Sequence, residues 1–285
     1  MRDTVYHGEF TGGADAGMSD ALWGDRFDGP VYVLTADQDW APEWAMDVLF
    51  DETTRRGVPL HLFVTNESPL VTAGVAGLSL GIHPNFLPGS TQGNSVDEII
   101  ARCRALVPGA DTFRCHSFFE NTRVLGRLFD AGFRTDSNLG LFGQAGLVPL
   151  IHCTGLLRFP VFFEDDIFFN LAPAGLPLEP LLPALMAPGL KVLNFHPILV
   201  GLNAPSQPYY NNLRERIRNH PDAGSDRQCA GRGSRVVLRQ LIDEVRSRGG
   251  EFVPFPDLAR EVLGLVEQVR GNSLYEWQRQ SWAGA

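Results

Sequence analysis

The amino-acid sequence predicts an α/β protein: a barrel of parallel strands with helices outside, closed or incomplete. Three observations carry this expectation. Short apolar runs alternate with amphipathic helical segments along most of the 285 residues, a rhythm that builds parallel sheets. About seven or eight such runs occur, the number a small barrel needs. Neither GxGxxG nor GxxxxGK[ST] is present, which disfavours a doubly wound nucleotide-binding fold. With 44% hydrophobic and 20% charged residues, the chain has the composition of a globular domain with a sizeable core.

Residues 1–28 are rich in Gly and Asp and read as an irregular lead-in, with the barrel over 29–285. The first strand is Val31–Thr35, apolar throughout as a buried parallel strand should be. Pro42 suits a helix start, and Trp44, Val48 and Leu49 give a helix stopped at Gly57. Strands follow at Leu60–Val64 and Leu78–Ile82. Ser95 and Glu98 form a capping-box pattern before a helix over Val96–Leu106. Thr112–His116 reads as a strand, Asn121–Phe133 as a helix, and Leu156–Phe163 and Leu190–Phe195 as strands. A helix over Ser234–Arg248, a short strand over Glu251–Pro254 and a helix over Asp257–Val269 complete the pattern. Residues 201–233 are polar and rich in Asn, Pro, Gly and Arg, and read as a mobile loop or lid.

The net charge of −9 argues against a nucleic-acid partner, because an acidic surface repels phosphate backbones. Four dispersed cysteines (Cys103, Cys115, Cys153, Cys229) without a CxxC form no disulfide framework or zinc knuckle, and suit reduced thiols in the cytoplasm. The N-terminus has no apolar signal region and no run has the length of a membrane span. A cytoplasmic location is the expectation.

The apolar runs end abruptly in groups that bind metal or move protons. Val31–Thr35 leads to Asp37 and Asp39, Leu78–Ile82 to His83, the run at Thr112 to Arg114 and His116, Phe133 to Asp136, Phe159–Phe163 to Glu164-Asp165-Asp166, and Val192–Phe195 to His196. In a parallel barrel all these strand ends open on one face, where active sites lie. Asp37 and Asp39, two apart on extended chain, point the same way. His61, inside an apolar run, reads as a satisfied core residue, and His7, His152 and His220 lack a supporting pattern. Asp and His donors without thiolates suit one divalent ion, zinc first, with cobalt, nickel or iron as alternatives. Such an ion activates water, a free carboxylate accepts its proton and an imidazole protonates a leaving amine, which together hydrolyse an amide.

In order, Thr35-Ala36-Asp37-Gln38-Asp39, Gly81-Ile82-His83-Pro84-Asn85-Phe86, Arg114-Cys115-His116-Ser117, Asp136-Ser137-Asn138 and Asn194-Phe195-His196-Pro197 resemble the five motifs of the polysaccharide deacetylases, the NodB-homology carbohydrate esterases, in their WbmS-like branch. The resemblance implies a distorted (β/α)7-type barrel. It implies Asp37 as general base, Asp39 and His83 as metal ligands, His196 as general acid, Arg114 holding the base and Asp136 orienting His196. The family's second metal histidine is replaced by Leu87, so the third ligand is His116 or, second, Asn85; the split Asp-Gln-Asp leaves open which aspartate is base and which is ligand. Asn85, Trp40 and Asp165 are the candidate substrate contacts. The implied activity is removal of an N-acetyl group from an amino sugar: a nucleotide- or lipid-linked precursor, or a sugar-containing metabolite. Another C–N hydrolase on the same scaffold, or a catalytically dead carbohydrate-binding homologue, is the alternative.

Overall fold

The computed structural model describes residues 22–171 and 177–267. β1 (Pro30–Asp37) lies inside the sheet, flanked in parallel by β2 (Leu60–Val64) and, across the chain, by β9 (Gly189–Phe195). Beyond β2 the sheet continues in parallel through β3 (Leu78–Ile82), β4 (Thr112–Phe113) and β5 (Thr135–Asp136). All but the first residue of β1 and every residue of β2 and β9 are buried, which explains runs too apolar to show a strand's alternation.

The expected strand Leu156–Phe163 divides in two. β7 (Leu157–Arg158) pairs in parallel with β5, whereas β8 (Val161–Glu164) pairs in parallel with β9, at the opposite end of the strand order. Pro160 stands between them and cannot donate a ladder hydrogen bond. One continuous segment thus serves both sides of the strand order, and among the described residues eight parallel strands curl into a half-barrel. β6 (Leu150–Ile151) adds a short antiparallel partner to β7.

Two cores result. Outward residues of the strands, such as Leu34, Ala36, Leu62 and Val64, pack beneath the helices. Inward residues Val31, Val33, Leu157, Phe159, Val161, Leu190 and Val192 pack with Phe255 from the helix over residues 255–267. Trp23 and Phe27 join this inner core, so the part of the expected lead-in that is described plugs the barrel instead of standing outside it. Gly81 is required by this crowding: a Cβ there would stand 2.7 Å from Thr112 Oγ1 and 2.8 Å from His61 Nε2.

The outer helices follow the sequence closely: α1 (Glu43–Arg55), α3 (Val96–Leu106), α4 (Thr122–Asp130) and α9 (Ser234–Ser247), with a short α2 (Pro69–Ala73). Ser95 caps α3 through Glu98 N–H, but the Glu98 carboxylate reaches back to Asn94 N–H at 2.8 Å, one residue before the expected partner. The short strand at 251–254 reduces to a single bridge between Tyr32 and Phe252. The final helix covers 255–267, and its expected last residues 268 and 269 lie outside the described residues, as does His7.

α5 (Asp165–Leu171) and α6 (Leu182–Met186) connect β8 to β9. The expected loop 201–233 contains ordered helix: α7 (Pro197–Leu202) ends within it and α8 (Gln207–Asn219) fills its middle. Ser206 caps α8, but only Ile217 on that helix is fully buried, so its sequence lacks the apolar stripe that announces a packed helix. Among the described residues no helix is long and apolar enough to cross a membrane.

Candidate functional site

Strand register brings the predicted groups to one rim. Asp37 lies level with Phe63, Ile82 with Phe113, Phe113 with Asp136, Ala36 with Phe195, and Glu164 with Asn194. His83, Arg114, Ser137 and His196 are therefore each the first residue past the end of a strand on the same face.

Asp39 collects two of the histidines. Its Oδ1 lies 3.0 Å from His83 Nε2 and 2.9 Å from His116 Nδ1. The chain reaches this position through left-handed backbone at Asp39 and Trp40 (φ 46° and 56°), and Ser117 and Phe118 beside His116 share that conformation (φ 57° and 50°). Such conformations are costly for residues with a Cβ and cluster at functional sites. Gln38, the residue that splits the two aspartates, is fully buried and receives the Thr65 and Asn66 N–H groups at 2.8 and 3.1 Å. It ties the β1 end to the β2 end while Asp37 and Asp39 point into the bowl. The expected strand Thr112–His116 pairs only over Thr112–Phe113, because the chain turns into a 3-10 turn at His116–Phe118 that carries the imidazole inward.

The Asp39, His83 and His116 ligand atoms all lie within 4.8 Å of one another. One carboxylate oxygen and two imidazole nitrogens suit a zinc-like divalent ion with open positions. His83 Nδ1 has no hydrogen-bond partner and sits 3.8 Å from Asp37 Oδ1, so an ion on Nε2 would leave the ring proton facing a carboxylate. These residues fit a divalent ion. Asn85 does not compete for that place: its side-chain oxygen accepts the Leu87 N–H at 3.0 Å, and its own N–H is held by Gln92.

Asp37 is clamped separately. Arg114, wholly buried, donates from Nη1 to Asp37 Oδ1 at 2.9 Å and to Asn194 Oδ1, and from Nε and Nη2 to the Ser137 carbonyl and hydroxyl, both at 2.7 Å. Asn194 Nδ2 holds Asp37 Oδ2 at 3.0 Å. Burial alone would raise the Asp37 carboxyl, but Arg114, His83 and His196 outweigh it and hold it below the usual carboxylate range. Burial is likewise overcome at Asp39, by hydrogen bonds from His116 and His83. The bond to Asp39 raises the His116 imidazole against the opposing effect of burial.

His196 approaches from the other side, its Nε2 3.7 Å from Asp39 Oδ2 and 3.8 Å from Glu164 Oε1. Its orienting partner is Asp165, 2.7 Å from Nδ1, and not Asp136 as the motif order suggested. Asp165 is fully buried, accepts the Ser234 hydroxyl at 2.6 Å and the His196 N–H at 3.2 Å, and so faces no substrate. Asp136 instead receives Arg158 Nε on both oxygens at 3.1 and 3.0 Å and the Asn138 N–H at 2.9 Å, fixing the loop after β5. Burial would lower the His196 imidazole, but Asp165 raises it well above its ordinary value. A second cluster of possible ligands, Asp37, Glu164 and His196, is already engaged by Arg114, Asn194 and Asp165.

Asp39, Trp40 and His116 form one side of a cleft of about 520 Å3 that also holds Asn85, Thr91 and, from α8, Tyr210, Arg214 and Arg218. Trp40 is 40% exposed and stands edge-on to His116 at 5.4 Å. Sequence reading named Glu164 among the strand-end acids but missed Thr35, Asn194, Ser234 and the α8 wall. Thr35 and Asn194 carried a signal: each lies two residues before an inward site residue on a strand, on the same face.

The curled parallel half-barrel is the fold of the polysaccharide deacetylases, and its rim here sets two imidazoles on one carboxylate, beside an arginine-clamped aspartate and an aspartate-held histidine. The chain belongs to the WbmS-like polysaccharide deacetylase family, whose model matches residues 34–214. Its structure is similar to WbmS of Bordetella bronchiseptica, assigned as a polysaccharide deacetylase involved in O-antigen biosynthesis, with a TM-score of 0.66 and 29% identity over 76% of this chain and 91% of that one. Weaker likenesses are to a family 4 carbohydrate esterase from Bacillus anthracis (TM-score 0.43, 15% identity, 87% of this chain and 94% of that one) and to BA3943, a pseudoenzyme of that family from the same organism (TM-score 0.40, 12% identity, 80% and 64%). No curated protein matches the chain.

Proposed function

We propose that the protein is a metal-dependent N-deacetylase that releases acetate from an acetylated amino sugar. The observation that carries this reading is the convergence of His83 Nε2 and His116 Nδ1 on the Asp39 carboxylate at 3.0 and 2.9 Å, beside an independent Asp37–Arg114 pair. His116 supplies the ligand that Leu87 cannot, which favours a working centre over a dead one. A divalent ion held by Asp39, His83 and His116 would supply Lewis-acid activation of water and of the acetyl carbonyl. Asp37 is held ionised by Arg114 and Asn194 and accepts the proton of the attacking water. His196 keeps one ring proton on Asp165 through Nδ1 and turns Nε2 into the site, where a raised imidazole donates its proton to the departing amine. WbmS is assigned to O-antigen biosynthesis, which supports a glycan precursor, nucleotide- or lipid-linked and cytoplasmic, as the substrate.

The test is acetate release from a panel of N-acetylated amino sugars by protein loaded with zinc or cobalt, with bound metal measured alongside. About one ion per chain and acetate that disappears on chelation are expected. A metal-loaded protein that opens a cyclic ureide but frees no acetate would move the assignment to another C–N hydrolase, and one that binds no metal would leave a carbohydrate-binding protein.

A further inference from the structure

The cleft beside the rim has a charge pattern opposite to that of the chain. The protein carries 33 acidic against 24 basic side chains, yet among the described residues the only carboxylate lining the cleft is Asp39, already at the candidate metal centre, while α8 presents Arg214 and Arg218. The two are one turn apart and project from one face of the helix. Neither makes an ion pair or hydrogen bond among the described residues, unlike Arg55, Arg56, Arg102, Arg127 and Arg239, which pair with carboxylates on the same protein. The helix dipole favours a cation in the last turn, where Arg218 lies, but it offers nothing to Arg214. Like charges at this spacing repel unless an anion lies between them.

The wall that holds them is anchored. Ile217 is buried, Trp44 Nε1 donates to the Pro221 carbonyl at 2.8 Å, and the Tyr209 hydroxyl donates to the Arg227 carbonyl at 2.6 Å. Tyr210, one turn before Arg214, lines the same cleft as Trp40 and His116. A planar guanidinium pair over an aromatic-walled cleft suits bidentate capture of phosphate or carboxylate oxygens.

We propose that Arg214 and Arg218 form an oxyanion-recognising subsite, so that the acetylated sugar processed at the rim carries a phosphate or carboxylate group and is not a neutral glycan. This rests on the deacetylase reading for its substrate, but the subsite is testable without it. Zinc-loaded protein is titrated calorimetrically with pyrophosphate and, separately, with glucuronate, and compared with the Arg214→Gln/Arg218→Gln double variant and with Arg214→Lys. At least one anion binds, and the double variant weakens it by about tenfold or more, with partial recovery in the lysine variant. The anion that responds identifies the source, phosphate or carboxylate. Anion binding that is absent, or unchanged in the double variant because it occurs at the metal alone, overturns the subsite. Acetate release is then compared for the methyl glycoside of N-acetylglucosamine, its 1-phosphate and an N-acetylated aminouronic acid. The anionic substrate has the lower KM, and the double variant removes that advantage with kcat little changed; equal KM values in the native protein also overturn the proposal. Arginine-dependent anion binding with no acetate from any substrate would uphold the subsite and defeat the deacetylase reading.

Discussion

His196 and His83 look alike in the sequence, each ending an apolar run and preceding a proline, but their surroundings separate their work. His83 turns Nε2 onto Asp39 and is expected to bind metal; His196 is fixed through Nδ1 by Asp165 and only overlooks the centre. His83→Ala should lose metal and acetate release together, as read by metal content of the purified protein. His196→Ala should keep about one ion and lose roughly 100- to 10,000-fold in kcat, the usual worth of a general acid; a His196→Ala protein without metal would reverse the two roles. Asp165→Asn should keep metal and lower kcat about tenfold to a hundredfold, because the ring loses its orienting charge, whereas Asp136→Asn should act on stability through Arg158. The histidines and Arg114 were legible because each interrupts an apolar run at its end. Which aspartate serves His196 was not, because that depends on which strand lies next to β9.

That neighbour is β8, and its placement is an event at the level of elements. A single apolar stretch in the sequence serves two strands at opposite ends of the order, with Pro160 at the break, and so sets Asp165 beside His196 and Asp136 beside Arg158. Local periodicity cannot show this, since pairing partners are long-range. α8 was hidden for a different reason: it is held by caps and by one buried side chain, and its polar face is turned to the cleft. Its surroundings depend on Asn203, which ends α7 in left-handed conformation (φ 48°), donates to the Cys229 and Gly231 carbonyls at 2.8 Å each and accepts the Val236 N–H at 3.2 Å. Asn203→Ala removes all three bonds and places a residue less tolerant of that conformation there. It should cost about 2–3 kcal/mol in urea unfolding, with faster amide exchange over 220–233; exchange unchanged in that stretch would show that Asn203 does not hold it.

Across the whole molecule the inward face of the barrel changes character from one end to the other. Val31, Val33, Leu190 and Val192 meet the Phe255 plug at the base, Thr35 and Asn194 form a polar layer around buried Arg114, and Asp37 and His196 stand at the rim. The layering was foreseeable from buried runs ending in polar groups; the plug formed by Trp23, Phe27 and Phe255 was not, because nothing local in those segments states where they pack. His61 marks the boundary between the apolar and polar layers. It bonds Ser79 Oγ at 2.8 Å and Thr112 Oγ1 at 2.9 Å and stacks on Phe255 at 4.8 Å, so it is the core histidine the sequence suggested. Burial, reinforced by the Arg114 charge, pushes its imidazole down from 6.5 to about 3. A depressed folded value means that the folded protein stays neutral while the unfolded chain takes up a proton. Stability associated with His61 is therefore complete above pH 6.5 and declines as pH falls from 6.5 towards 3. The upper limit of that decline is about 5 kcal/mol at 1.36 kcal/mol per unit, and relaxation around the ring reduces it. Gln keeps hydrogen-bonding capacity between Ser79 and Thr112 but does not titrate. His61→Gln should lose stability through weaker stacking at pH 7 and fall less steeply than the native protein between pH 6.5 and 4, as measured by urea unfolding with chelator present so that metal release does not enter. Parallel stability curves for the two proteins across that window would place the acid sensitivity of the fold elsewhere, in the carboxylates of the rim.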